Sequence, residues 1–295
     1  PALISAGEVT AADLSGIFSG FKGFRMAKSA LEMAFLDAEL RGSGVSLKEH
    51  LGGVRDSVPV GVSVGIFDGI PGLLDAVDGY LADGYLRVKL KIEPGWDVAM
   101  VDEVRSHVGD DVGLQVDANT AYDRGDIDHL VALDDFGLIL VEQPFAADDL
   151  VGHAQLAAKI DTPVCLDESI TSRRVTADAL DLGASDIINI KAGRVGGYLE
   201  AKRIHDLCEE RGVPVWCGGM LETGLGRAAN LALASLPNFT LPGDISASSR
   251  YYHHDLTPPF EVENGHMRVP VGPGLGVEPD PDLLKEVTTK VMKSK

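Results

Sequence analysis

A closed α/β barrel is the fold this sequence predicts, and three observations carry that reading. Short continuous apolar runs alternate with amphipathic helical stretches over residues 58–242, the pattern of parallel strands buried on both faces. The alternation yields eight strands with seven intervening helices, which suits a barrel better than an open sheet. No GxGxxG follows the first strand, which weighs against a doubly wound dinucleotide fold.

Taken in order, the run VPVGVSVGI (58–66) is rich in β-branched residues and forms the first predicted strand, followed by a helix over 69–82. YLRVKLKI (85–92) is the second, with a helix over 97–107. The third, 112–116, ends against Asp117 and precedes a helix over 126–133. The nearly all-apolar stretch 137–142 is the fourth, before a helix over 148–160. Strands over 163–167 and 186–191 lead to helices over 176–182 and 198–211. A seventh strand over 213–217 precedes a helix over 227–235, and 239–242 closes the set. Residues 1–57 and 243–295 fall outside this rhythm; the first holds a strong helix over 25–41, and the second is rich in Pro and Gly and is expected to wrap back over the rest.

Bulk properties narrow the function. The formal charge is −19 and the pI near 4.7, with no basic stripe, which argues against nucleic-acid binding. There is no apolar run of membrane-spanning length, and the N-terminus lacks a signal-peptide pattern. Cys165, Cys208 and Cys217 form no CxxC pair and read as reduced thiols, so a cytoplasmic enzyme is expected. The chain opens on Pro1 and a partly polar stretch, and further sequence upstream is expected.

Functional groups of a parallel barrel collect at the C-terminal ends of its strands. Three successive strands end on acids, Asp117, Glu142 and Asp167, each 25 residues after the last. That interval is one β/α unit, so the three carboxylates should share one rim. Any one of them could cap the helix that follows. Three together repel unless a cation joins them, and an all-oxygen set favours Mg²⁺, with Mn²⁺ a substitute.

Lysines complete the pattern. Lys89 and Lys91 lie two apart on the second strand and therefore point to one side. Lys191 tips the sixth strand, across the barrel from the second. A salt-bridge network that merely neutralises the acids would explain the charges but not the inward placement on opposing strands. Like charge and partial burial are expected to depress one lysine toward neutral pH, making it a base. The chemistry is proton abstraction beside a carboxylate, with a metal stabilising the enolate.

Lys89-Leu90-Lys91, Asp117 in VDAN, Glu142 in VEQP, Asp167 in LDES and Lys191 in NIKAGRVGG resemble the enolase superfamily, muconate-lactonizing subgroup. The segment GGMLETGLGRAANLALASLPNFTLPGD resembles its o-succinylbenzoate synthase / N-succinylamino acid racemase branch. The resemblance runs from about residue 25 to the end and implies a modified (β/α)₇β TIM-type barrel with an enolase-like α+β capping domain. Residues 1–57 would then be the later part of the capping domain and a connector helix, 58–242 the barrel, and 243–295 a segment returning to the cap. Asp117, Glu142 and Asp167 would bind Mg²⁺, Lys91 and Lys191 would be the paired acid/base groups, and Lys89 would tune Lys91. Asn119 and Glu168 would support the metal ligands. Ser63, Gly219, Met220, Leu221 and Arg194 would contact a small-molecule carboxylate substrate, and a homo-oligomer is implied. Ala192 stands where the family usually has Pro, and the family's first capping strands and substrate-closing loop fall outside these residues.

The expected activity is syn dehydration by an o-succinylbenzoate synthase of menaquinone biosynthesis, with N-succinylamino acid racemisation at the same site; racemisation as the main activity is the alternative. Other muconate-cycloisomerase-type lyases and isomerases are cousins, but the epimerase DxD reads Asp244-Ile245-Ser246 here. A non-catalytic protein should have lost one of the six charged positions, and all are present. Among other features, His253-His254 reads as surface, Trp96 and Trp216 as packing, and Gly224-Leu225-Gly226 as a tight turn or an anion cradle.

Overall fold

In a computed structural model, whose described residues are 9–291, the apolar runs become a seven-stranded parallel sheet in chain order. The strands are β1 (Ser57–Pro59), β2 (Val62–Val64), β3 (Arg87–Lys91), β4 (Gly113–Asp117), β5 (Val141–Glu142), β6 (Val164–Leu166), β7 (Ile187–Ile190), β8 (Val215–Cys217) and β9 (His266–Arg268). β2 through β8 make the barrel wall, with helical segments between successive strands. No helix among the described residues is long and apolar enough to cross a membrane.

Two strand expectations need correction. The run 58–66 is not one strand: β1 leaves to pair antiparallel with β9, and only β2 joins the wall. Pro59 has no N–H for a continuous ladder, and a side chain at Gly61 would collide with the Arg87 guanidinium, so the chain steps over that group between the two strands. The eighth strand is likewise not regular. Phe239 bridges Val215 on one side and Gly243 bridges Val60 on the other, with Gly61 N–H donating to Gly243 O at 2.8 Å and Asp244 N–H to Cys217 O at 3.0 Å. Pro242 removes a donor between those bridges. The ring closes, but through a seam. The helix expected over 126–133 is also broken, into one α-turn, Ile127–Leu130, flanked by 3₁₀ turns.

Residue alternation divides the wall into two surfaces. Val88, Leu90, Leu114, Val116, Ile188 and Ile190 are buried in the large apolar layer beneath the helices. Inside, a small separate cluster of Leu140, Cys165, Ile187 and Trp216 fills the lower barrel. Arg87 and Lys89 lie 5.2 and 4.8 Å from the Trp216 ring centroid, so the indole is the apolar floor beneath a charged upper chamber.

The outer segments meet each other. Leu47 N–H donates to Gly274 O at 2.7 Å and Leu275 N–H to Asp37 Oδ1 at 2.8 Å. The connector helix Arg25–Ser43 stops at Gly44, whose left-handed φ of 75° gives the turn that glycine tolerates best. The outermost residues of both segments, 1–8 and 292–295, lie outside the described residues.

Candidate active site

Strand register assembles the site. Lys91 pairs with Asp117, Asp117 with Glu142, and Glu142 with Cys165, two residues short of Asp167. The loops that leave these strands are bent: Asn119, Thr120 and Gln143 have φ of 42°, 70° and 39°. Such non-glycine backbone costs roughly 1–3 kcal/mol each and persists only where contacts impose it. Here Thr120 N–H donates to Gln143 O at 2.9 Å. Gln143 Oε1 in turn accepts from the N–H groups of Asp167 (2.9 Å) and Ser169 (3.1 Å), fixing the second and third acids together.

The charged groups interlock. Lys89 Nζ lies 2.9 Å from Glu142 Oε2, 3.1 Å from Asp117 Oδ2 and 2.6 Å from Asp244 Oδ2. Lys91 Nζ lies 2.6 Å from Asp117 Oδ2 and donates to Asn119 Oδ1. Lys191 Nζ lies 2.7 Å from Asp167 Oδ2. Side-chain exposure is 2% for Lys89, 10% for Lys191 and 28% for Lys91, so only the last two open toward the mouth. Arg194 Nη2 donates to Asp167 Oδ2 at 3.2 Å. Asn119 Nδ2 donates to Glu168 Oε1 at 3.0 Å.

Neither Lys89 nor Lys191 is a depressed lysine. Burial acts to lower both, but Asp244, Glu142 and Asp117 around Lys89, and Asp167 and Glu142 near Lys191, hold them above the ordinary lysine value. Charge partners outweigh like-charge repulsion. Glu142 shows the opposite strain: burial, then Asp117, then Asp167 push its carboxyl up to about 8, against the pull of the lysines. Asp167 Oδ1, although 3.0 Å from Arg194 Nε, is buried with no aligned hydrogen bond. A buried orphan oxygen and an acid crowded by two others are what a hard divalent cation would satisfy, and the donors suit Mg²⁺ chemistry. Another acidic group that includes a histidine, His205-Asp206-Glu209, is poorly suited: His205 Nδ1 is 2.9 Å from Asp206 and its Nε2 accepts from Asn238 N–H.

The remaining expectations are dispersed. Ser63 sits level with Lys89 on β2, and its carbonyl accepts from Arg250. Gly219 lies against the Asp244 carbonyl, where a side chain would collide. Met220 and Leu221 are exposed at 43% and 72%, with Met220 N–H held by Glu222 Oε2 at 2.6 Å. Gly224-Leu225-Gly226 offers no open cradle, because Gly224 N–H already donates to Asp255 Oδ1 at 2.7 Å.

Four participants escaped the sequence reading. Arg87 Nη1 donates to Asp244 Oδ1 at 2.6 Å, and Arg87 with Lys89 holds Asp244 far below the usual carboxylate range, burial notwithstanding. Asn189 Nδ2 donates to Glu142 Oε1 at 2.6 Å, and Gln143 is the fourth. The signal for Arg87 and Asn189 was present: each precedes a singled-out lysine by two residues, on the same face. Trp216, expected to pack, does so as the chamber floor.

The enolase C-terminal domain-like family model matches residues 72–283. An N-succinylamino acid racemase from an Amycolatopsis species is 65% identical, over 98% of this chain and 78% of its own length. An o-succinylbenzoate synthase from Geobacillus stearothermophilus is 55% identical, over 91% of this chain and 72% of its own. The solved structure of an enolase-superfamily member from Listeria innocua superposes with a TM-score of 0.93 at 40% identity, covering 98% of this chain and 78% of that one.

Proposed function

This chain belongs to the enolase superfamily, in the branch of the o-succinylbenzoate synthases and N-succinylamino acid racemases, and from that premise we propose a two-lysine enzyme that removes the proton beside a substrate carboxylate. Its reaction is the syn dehydration of a cyclohexadiene carboxylate to o-succinylbenzoate, as on the route to menaquinone, with racemisation of N-succinylated amino acids at the same site. One observation supports this most: Lys91 and Lys191 bracket three rim carboxylates, each ammonium within 2.7 Å of a different acid.

Asp117, Glu142 and Asp167 are the residues that would hold Mg²⁺, or Mn²⁺ in its place. Bound there, the ion would supply positive charge against the density that builds on the substrate carboxylate as the α-proton leaves. Lys91, the more open lysine, takes that proton. Lys191 faces the reacting carbon from across the mouth and stabilises the developing charge during dehydration, while Lys91 passes the proton it took to the hydroxyl on the same face, which departs as water. In racemisation it delivers or removes the proton on its own face. Lys89 stays charged beneath Lys91, tied to Asp117, Glu142 and Asp244. Asn119 and Glu168 brace each other beside the acids. Ser63, Gly219, Met220 and Leu221 are the further positions proposed to contact the substrate.

Racemisation as the leading activity is favoured by Arg194, which shares Asp167 with Lys191, and by the 65% identity to a racemase. The three cysteines are buried and unpaired, which supports a reducing, cytoplasmic setting. The reading includes a homo-oligomer and no membrane or nucleic-acid partner. The test offers the Mg²⁺-loaded protein the dehydration substrate and, separately, N-succinyl-phenylalanine in D₂O. Both should turn over, with deuterium entering the α-carbon of the N-succinylamino acid alone, since the ring carbon that loses its proton in dehydration keeps no hydrogen. Lys191→Arg should keep part of the dehydration and abolish racemisation; equal loss of both would refute the division of roles.

A further inference from the structure

The pair Gly196-Gly197 that ends GRVGG has no part in the chemistry above, yet the structure places a buried acid against it. Glu32, on the connector helix Arg25–Ser43, is only 5% exposed. Its Oε1 accepts from Leu199 N–H at 3.0 Å, at the first turn of helix Tyr198–Glu210, where unpaired N–H groups and the helix dipole favour an anion. A side chain at Gly197 would collide with this carboxylate, so that glycine is what admits it. Met26, one face of the same connector helix, lies over Gly193.

Between Leu199 and the reacting end of the strand, the turn is tied by its own backbone hydrogen bonds. Ala201 N–H donates to Gly197 O at 3.1 Å, Gly197 N–H to Ala192 O at 3.0 Å, and Arg194 N–H to Lys191 O at 2.9 Å. Gly196, with φ of 98°, makes the left-handed stop that turns the short helix Ala192–Val195 into the long one. Burial pushes the Glu32 carboxyl up, against the backbone donors and Arg203. An apolar residue would seal this seam without that cost, so a carboxylate here serves geometry.

We infer that Glu32 is a positioning residue for the Lys191 face of the site, reaching from the outer segment to lock the turn that carries Lys191 and Arg194. Among the described residues, the hydrogen-bond partners of Lys91 are Asp117 and Asn119, both within the barrel. The inference rests on the reading above, in which the two lysines work on opposite faces of one carbon.

The experiment follows α-hydrogen exchange in D₂O for each enantiomer of N-succinyl-phenylalanine, by proton NMR, with the Mg²⁺-loaded protein. Lys191→Ala identifies the enantiomer that reports the Lys191 face. Glu32→Leu, which keeps bulk but removes the acceptor, should slow kcat for that enantiomer about tenfold relative to the other, as a small misplacement of a reacting group does. Glu32→Gln, which retains an acceptor, should restore the ratio. Should Glu32→Leu not fold, Gly197→Ala, which crowds the carboxylate instead of deleting it, is read by the same ratio. If Lys191→Ala separates the enantiomers and the Glu32 or Gly197 variant slows both alike, or neither, the inference alone fails. If Lys191→Ala itself slows both alike, the two-faced reading fails and takes the inference with it.

Discussion

The two lysines proposed to react are alike in chemistry and unlike in support. Lys91 ends a five-residue strand and is braced from within the barrel: Asp117 beside it, Lys89 beneath it, and Asp244 and Arg87 beneath that. Lys191 stands at the end of a strand too, but the turn after it is pinned from outside, by a helix more than 150 residues earlier in the chain. One face is therefore set by barrel register and the other by how an outer segment docks. A site of this kind can have its two half-reactions altered separately, by substitutions in different parts of the molecule.

That contrast can be broken or sharpened by experiment. The largest effect should come from a treatment that ignores it. Chelating divalent cations should slow exchange of both enantiomers together, by ~10²–10³-fold, the scale of losing one strong electrostatic stabiliser, with recovery on adding Mg²⁺. A loss confined to one enantiomer would show that the carboxylate trio serves only one face. Next in size, Asp244→Asn should act on the Lys91 side. It leaves two buried cations, Arg87 and Lys89, without their shared partner, a loss on the order of 3–5 kcal/mol in stability. Urea unfolding would measure this, and the Lys91-face exchange of the folded fraction should fall further than the Lys191-face exchange. A stable variant with unchanged exchange would remove Asp244 from the account.

The smallest effect is a pH dependence common to both faces. His153 is buried and neutral: its Nδ1 is 2.6 Å from Asp149 O and its Nε2 accepts from Phe145 N–H. Burial holds its pKa below 6.5, over the opposing pull of Asp149. The unfolded chain therefore binds a proton more readily than the folded one, so stability is full above 6.5 and declines as pH falls below it. His153→Gln should flatten that slope in unfolding curves taken from pH 7.5 to 5.5. An unchanged slope would place the titrating group elsewhere.

The rim acids and lysines were legible because each ends an apolar run, where an unpartnered charge is too costly to be incidental. The β/α rhythm was legible for the same reason, since parallel strands need apolar residues on both faces. What escaped was whatever depends on a distant partner. Asp244 meets Arg87 across 157 residues, and nothing near either residue announces the other. Lys89 and Lys191 are held up because acids surround them, a charge balance that like-charge reasoning alone leaves out. The single long first strand failed because Pro59 and Gly61, within the β-branched run, mark a place where the chain leaves the wall. Arg87, by contrast, could have been found by following the alternation of RVKLK one step further back.

The seam between β8 and β2 gives Arg87 a second duty. The cylinder is fastened there by isolated bridges at Phe239 and Gly243, and Arg87 Nη2 donates to Pro242 O at 2.6 Å while Nη1 grips Asp244. The clasp of the hoop is thus also the base on which Lys89 rests. Weakening one would therefore disturb the other: a substitution at Arg87 acts on both the closure of the wall and the base of the charged chamber.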